Sequence, residues 1–231
     1  MAQTDTSQLS SAPGIIARAI AHSAYKLMLW LWHIPTYAKH RRLLFLDFFL
    51  PYYYAFYITP TRLETFKANT GKPLKELTEG QFTFVGLTQI FDALPLKPKS
   101  VFLDLGGGHG KPALYAAFIR RIQAISVDVV PIYARVGEAL CQRLNIPNIS
   151  WKTEDFLTTD VAVATVVLIN TTCLGKKTIA ALAQHLQGLS VGTWLVSPSA
   201  KLPGTCFKTR KTLKVPMSWG FSTVYIQQKV S

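Results

Sequence analysis

Acidic residues are scarce in this chain: 12 Asp and Glu stand against 25 Lys and Arg in 231 residues, a formal charge of +13. Such a surface cannot neutralise itself and favours an anionic partner, nucleic acid or a membrane surface. The cations are clustered, in Lys39-His40-Arg41-Arg42 and in Lys208, Arg210, Lys211 and Lys214. Cysteine is scarcer still. Cys141, Cys173 and Cys206 are odd in number, far apart and in no ligand spacing. That argues against zinc or a disulfide framework and for free thiols in a reducing, intracellular compartment. The histidines form no H-x-x-x-H pattern either, so no metal is implied. No stretch reaches the ~20 uninterrupted apolar residues that span a bilayer, and the first residues lack the basic start of a signal peptide.

Apolar residues are plentiful, 49% of the chain, and much of the excess lies before residue 60. The length suits one α/β domain of about 150 residues with an N-terminal extension. Residues 1–13 are small, polar and aperiodic, the composition of a disordered tail. Residues 14–58 read as an apolar, partly amphipathic helical extension, with Ile16, Ile20, Leu27, Trp30 and Ile34 recurring at helical spacing. Its tryptophans, tyrosines and basic run suit an interfacial anchor on an anionic membrane. A helical lid packed on the domain fits the same residues. Residues 59–80 are polar and turn-rich, a connector leading into a domain over 81–231.

Within that domain Val101-Phe102-Leu103-Asp104-Leu105 reads as a buried parallel strand running into Gly106-Gly107-Gly108-His109-Gly110. Open α/β sheets bind ligands at that strand end. A P-loop needs G-x-x-x-x-G-K-[ST]. Here the glycine spacing is one residue short, and Pro112 stands where the hydroxyl belongs. A dinucleotide fingerprint can be matched only from Gly108, beyond the strand's end. Taken from Asp104 as Asp-x-Gly-x-Gly-x-Gly, the turn resembles the first motif of class I S-adenosylmethionine-dependent methyltransferases. S-adenosyl-L-methionine is then the expected cofactor, with Asp104, Gly106, Gly108 and Gly110 at its methionine end.

Strand and helix signals alternate after the turn, which implies a doubly wound parallel sheet closed at one edge by the two last strands. Four successive strands end in polar residues: Asp104, Asp128, Asp155 and Asn170. Asp128 lies 22 residues beyond Gly106, close to the ~20 expected of a carboxylate that holds ribose hydroxyls. Asp155 could accept from an adenine amino group, with Phe156 against the ring.

Together these segments resemble the disruptor-of-telomeric-silencing family of non-SET lysine methyltransferases over about residues 79–229. The resemblance rests on Gly80-Gln81-Phe82-Thr83-Phe84, Phe102 to Gly110, Glu154-Asp155-Phe156-Leu157, Val167-Leu168-Ile169-Asn170 and Ser218-Trp219. It implies a seven-stranded class I methyltransferase (Rossmann-like) fold, methyl transfer to lysine side chains of a protein, and cofactor contacts from Gln81 and Thr83. It also implies a lysine channel near Asn170, Trp219 and Tyr225. Methylation of nucleic acid or of a small molecule on the same fold is the alternative, less favoured for nucleic acid because Asn170-Thr171-Thr172-Cys173 is not an Asn/Asp-Pro-Pro-Tyr/Phe motif. A non-catalytic cofactor-binding scaffold is the third reading. It arises because Gln81 and Thr171 stand where the family pattern carries Glu and a second Asn.

Overall fold

In the computed structural model the described residues are 12–77 and 80–231. Most of the tail expected over 1–13 therefore lies outside the described residues, as does Glu79, while Ala12 and Pro13 open the first helix. The seven strands are β1 (Val101–Leu105), β2 (Gln123–Asp128), β3 (Ile149–Thr153), β4 (Val166–Ile169), β5 (Trp194–Pro198), β6 (Phe207–Met217) and β7 (Gly220–Lys229). They form one sheet in the order β3-β2-β1-β4-β5-β7-β6. β1 to β5 are parallel, while β7 runs antiparallel between β5 and β6. This is the doubly wound sheet, closed at one edge by its last two strands, that the alternating strand and helix signals implied, and its seven strands match the class I methyltransferase fold that the family resemblance implied.

Successive strand residues point to opposite faces of a sheet. Phe102, Val166 and Leu168 accordingly enter one core, under α4 (Phe84–Ala93), α5 (Lys111–Phe118) and α6 (Pro131–Leu144). Leu103, Leu105, Val167 and Ile169 enter the other, under α7 (Lys176–His185). Asp104, two residues beyond Phe102, faces the first layer by the same alternation.

The N-terminal extension forms two helices joined at His40, α1 (Ala12–Lys39) and α2 (Arg41–Tyr57). In α2 the spacing of Leu43, Leu46, Leu50, Tyr53 and Tyr54 makes a stripe at helical period, and all five are buried against the domain. Leu43 and Leu46 are fully buried, each stabilising the docked helix by about 1.5–3 kcal/mol. The segment 59–80, expected to be a connector, instead forms α3 (Pro60–Ala68) and a 3₁₀ turn (Leu74–Leu77) that close over the strand ends. No helix among the described residues is long and apolar enough to cross a membrane.

Candidate active site

The carboxyl ends of β1, β2 and β4 open into a cavity of about 450 Å³, within the size range of small-molecule sites. β1 ends because Gly106, Gly108 and Gly110 all adopt positive φ, at 71°, 51° and 66°, a region that costs glycine nothing. The turn is stitched to the neighbouring strand: Gly106 and Gly107 N–H groups both donate to Val127 O, at 2.8 and 3.0 Å. Gly108 N–H donates to Asp128 Oδ2 at 2.9 Å, and Val130 N–H to Asp128 Oδ1 at 2.8 Å. Asp128 thus fixes both the glycine turn and the start of α6.

Gly107, which motif spacing did not single out, is held to glycine by packing: a Cβ there would lie 2.3 Å from Ser126 Oγ and 3.1 Å from Asp104 Oδ2. A Cβ on Gly110 would lie 2.1 Å from the Trp151 ring. At Gly106 a Cβ would meet nothing within 4 Å. The wall of the cavity there is left open by the missing side chain.

Asp104, almost fully buried, lines the cavity together with Gly106, Gly108, Asp128, Phe156, Gln81 and Asn170. Asn170 stands one residue past β4, where its Nδ2 donates to Gly80 O at 2.9 Å and its Oδ1 accepts from Thr172 N–H at 3.2 Å. Trp219, in the β6–β7 turn, lies across Gly80. A Cβ at Gly80 would come within 2.7 Å of its ring. The loop at 80–82 is tied to the same hairpin through a Phe82–Met217 bridge and a Ser218 N–H to Gln81 O bond of 3.0 Å. These contacts bring Asn170, Trp219 and the loop together, Asn170 and the loop on the cavity wall and Trp219 against Gly80 but not itself lining the cavity.

Four sequence-derived candidates sit otherwise. Gly110 does not itself line the cavity but turns the chain into α5. Thr83 is spent on structure: its hydroxyl caps α4 by accepting from Gly86 N–H at 3.0 Å and donates to Pro216 O at 2.7 Å. Asp155 is off the cavity wall, with Oδ2 paired to Lys72 Nζ and Oδ1 accepting from Leu157 N–H at 3.0 Å. Burial pushes its pKa up, but the Lys72 bond and the backbone N–H outweigh this and hold it below the usual carboxylate value. Tyr225 lies in β7 opposite Ser197 and Thr212, with the Lys201 ammonium 5.4 Å from its ring centroid. Its neighbours Val224 and Ile226 point into the α4–α5–α6 core, so alternation turns Tyr225 to the other face.

The residues missed by sequence reasoning come mainly from α2, which roofs the cavity with Asp47, Leu50, Pro51, Tyr54 and Ala55. Tyr54 OH donates to His109 O at 2.7 Å and the two rings lie 4.2 Å apart, fastening α2 to the glycine turn. Lys111, the first residue of α5, reaches Asp47 Oδ1 at 2.8 Å and sits 4.1 Å above the Phe84 ring. Asp47 also accepts from Tyr37 OH, which in turn bonds His33 Nδ1 at 2.7 Å. Burial would raise the Asp47 pKa, but Lys111 and the hydrogen bonds prevail and lower it. Burial, with Asp47 adding to it, raises the Tyr37 pKa, so its hydroxyl stays a donor. Burial lowers that of His33 against the pull of Asp47. An all-round apolar helix carries no local signal that its inner face will meet a ligand.

The residues present fit S-adenosylmethionine: a buried carboxylate, an open glycine wall, a second carboxylate on the cavity lining, and an aromatic beside apolar side chains. The family model for histone methylation protein DOT1 matches residues 52–212, more than half of the chain. No curated protein sequence matches significantly. Among solved structures, an RNA methyltransferase from Salinibacter ruber in complex with S-adenosyl-L-homocysteine is similar, with TM-score 0.55 and 20% identity over 63% of this chain and 90% of that one. The methyltransferase yhhF from Escherichia coli has TM-score 0.54 and 14% identity, over 64% and 88% of the two chains. The magnesium protoporphyrin IX methyltransferase of Synechocystis, with bound S-adenosylmethionine, has TM-score 0.51 and 15% identity over 67% and 88%. At these identities the likeness is one of fold.

Proposed function

This chain belongs to the family of the histone methylation protein DOT1 and uses S-adenosylmethionine as methyl donor; on that premise we propose that its acceptor is a lysine side chain of a protein. The observation that carries the reading is the cavity at the strand ends, with Asp104, the glycine turn and Asp128 on one side and Asn170 and Trp219 against the Gly80 loop on another. Asp104 and the turn would hold the methionine end, Asp128 the ribose hydroxyls, and Phe156 with Val129 and Val130 the adenine.

When bound, the cofactor supplies a methyl group already made electrophilic by its sulfonium. The chain's own residues then have to align a nucleophile and exclude water, and no strong base is needed. The α2 roof does the second. Leu50, Pro51, Tyr54 and Ile58 cover the cavity with apolar surface. An acceptor amine must be neutral to attack, and desolvation among such walls lowers a lysine from about 10.4. Asn170 is held at both ends, so its Oδ1 keeps one oriented lone pair for an amine N–H. Trp219, half-exposed beside it, would flank the alkyl stem.

The test is transfer of radiolabelled methyl from S-adenosylmethionine to cell extract, followed by mass spectrometry of the labelled product. Methyl-lysine that disappears in Asn170→Ala supports the reading. Label confined to RNA, which the +13 charge and the basic β6 residues Lys208, Arg210, Lys211 and Lys214 favour as the second reading, would replace it. Tight cofactor binding with no transfer to any fraction would indicate a scaffold.

A further inference from the structure

The two faces of α2 are both apolar. Its inner stripe packs on the domain and roofs the cavity, but the outer stripe is left bare: Phe48 is 72% exposed, Tyr52 68% and Phe56 79%. A helix that is apolar all round is normally covered all round. The same holds for α1, where Trp30 and Trp32 are 58% and 43% exposed. That bare surface continues onto the sheet, because the Trp32 and Phe221 ring centroids are 5.9 Å apart and Phe221, in β7 beside the hairpin turn, is itself 42% exposed. Exposed apolar surface of this kind marks an interaction site.

Charge identifies the occupant. From residue 12 to residue 59 there are five Lys and Arg and one acidic residue, Asp47, and Asp47 is turned inward onto Lys111. At helical spacing Arg41 heads the outer stripe that continues through Phe45, Phe48 and Tyr52. Beside it Lys39, His40, Arg41, Arg42 and Arg121 line one shallow groove at the α1–α2 corner. Tryptophan, tyrosine and phenylalanine bordered by clustered cations, with the nearby carboxylate of Asp92 engaged by Arg120, match the interface of an anionic bilayer. A protein partner of this cationic groove would have to be acidic, and the wide bare stripe offers it no polar partners.

We propose that the outer faces of α1 and α2, with the adjoining end of the β6–β7 hairpin, bind an anionic membrane surface, the corner groove taking lipid phosphates. The helices lie on the bilayer without crossing it. Because α2 also roofs the cavity, docking sets the active-site mouth close to the lipid. The docking itself does not depend on which acceptor is methylated.

The experiment is flotation of the full chain with phosphatidylcholine vesicles and with mixed phosphatidylcholine–phosphatidylglycerol vesicles. Binding to the mixed vesicles that weakens with salt is expected, with a blue shift of tryptophan emission. Phe48→Glu/Phe56→Glu should lower partitioning on the order of a hundredfold, since both rings lose their apolar burial and are replaced by charge. Arg41→Glu/Arg42→Glu should erase the preference for the anionic lipid. Both positions in the aromatic variant are exposed, and unchanged urea unfolding and S-adenosylhomocysteine binding verify that it is folded. No flotation with either vesicle overturns the proposal, as does equal partitioning of the folded aromatic variant. Lipid-free self-association that the same variant abolishes, without vesicle binding, would assign the face to a second copy of the chain.

Discussion

Gly110 and Gly106 share a left-handed backbone but differ in surroundings, and that difference sets the cost of replacing each by alanine. At both, alanine pays about 1–2 kcal/mol for positive φ. At Gly110 the new Cβ would also stand 2.1 Å from the Trp151 ring. The ring cannot back away: Gly137 of α6 presses it from another side, where a Cβ would come within 2.5 Å, and Nε1 is bonded to Cys141 Sγ at 3.4 Å. Overpacking of a buried ring costs about 1–3 kcal/mol more. Gly110→Ala should therefore lose about 2–5 kcal/mol, a large share of the 5–15 typical of a domain. Gly106→Ala should lose about 1–2 kcal/mol, since nothing lies within 4 Å of its Cβ. Its methyl would instead narrow the cavity wall, so cofactor affinity falls more than stability does. Urea unfolding gives the first quantity, from the midpoint at constant m, and calorimetric titration with S-adenosylhomocysteine the second. A loss below about 1 kcal/mol for Gly110→Ala, or equal losses for the two variants, would refute the packing argument.

Asp128→Asn can offer an acceptor to only one of Gly108 N–H and Val130 N–H, and a charged hydrogen bond is worth about 1.5–3 kcal/mol. S-adenosylhomocysteine should bind at least about tenfold more weakly, and unchanged affinity in calorimetry would remove Asp128 from the site. The folded-state pKa of Asp47 lies below its ordinary 3.8, so its ion pair stabilises fully above that value and fades as pH falls through the lowered one. The stability gap between wild type and Asp47→Asn should be constant from about pH 7 to 5 and shrink below about pH 4; a gap that instead grows on acidification contradicts the pairing with Lys111. Burial raises the Cys141 thiol pKa, whereas Cys173 lines the cavity. Iodoacetamide should alkylate Cys173 before Cys141 in the native protein, and S-adenosylhomocysteine should slow it; mass spectrometry showing Cys141 labelled first would be incompatible with the structure.

The strand ends were legible because local pattern governs them. Apolar runs of strand length, each closed by a polar residue and followed by a helical period, are physical consequences of a sheet buried on both faces, and they located Asp104, Asp128 and Asn170 without any tertiary information. The glycine turn was legible for the same reason, since positive φ at Gly106, Gly108 and Gly110 is a backbone requirement.

What partners a side chain is a different matter. Asp155 has the position of an adenine acceptor in sequence, yet Lys72, 83 residues away, holds its carboxylate. Thr83 follows the cofactor loop but is drawn into the cap of α4, and one step of strand alternation turns Tyr225 from the core that Val224 and Ile226 enter. The apolar start of the chain was ambiguous because a lid and an interfacial anchor both call for the same residues.

The sequence by itself determined the class of the sheet and the turn that ends its first strand, because these follow from short-range periodicity and backbone geometry, while the family was legible only as a resemblance carried by its motif segments. Only the tertiary structure decided that α2 roofs the cavity, that Asp47 and Lys111 meet across 64 residues, and that Trp151 packs against both Gly110 and Gly137. Those contacts join residues far apart in the chain, and close packing of one helix face against a distant turn leaves no periodic trace from which they could be read.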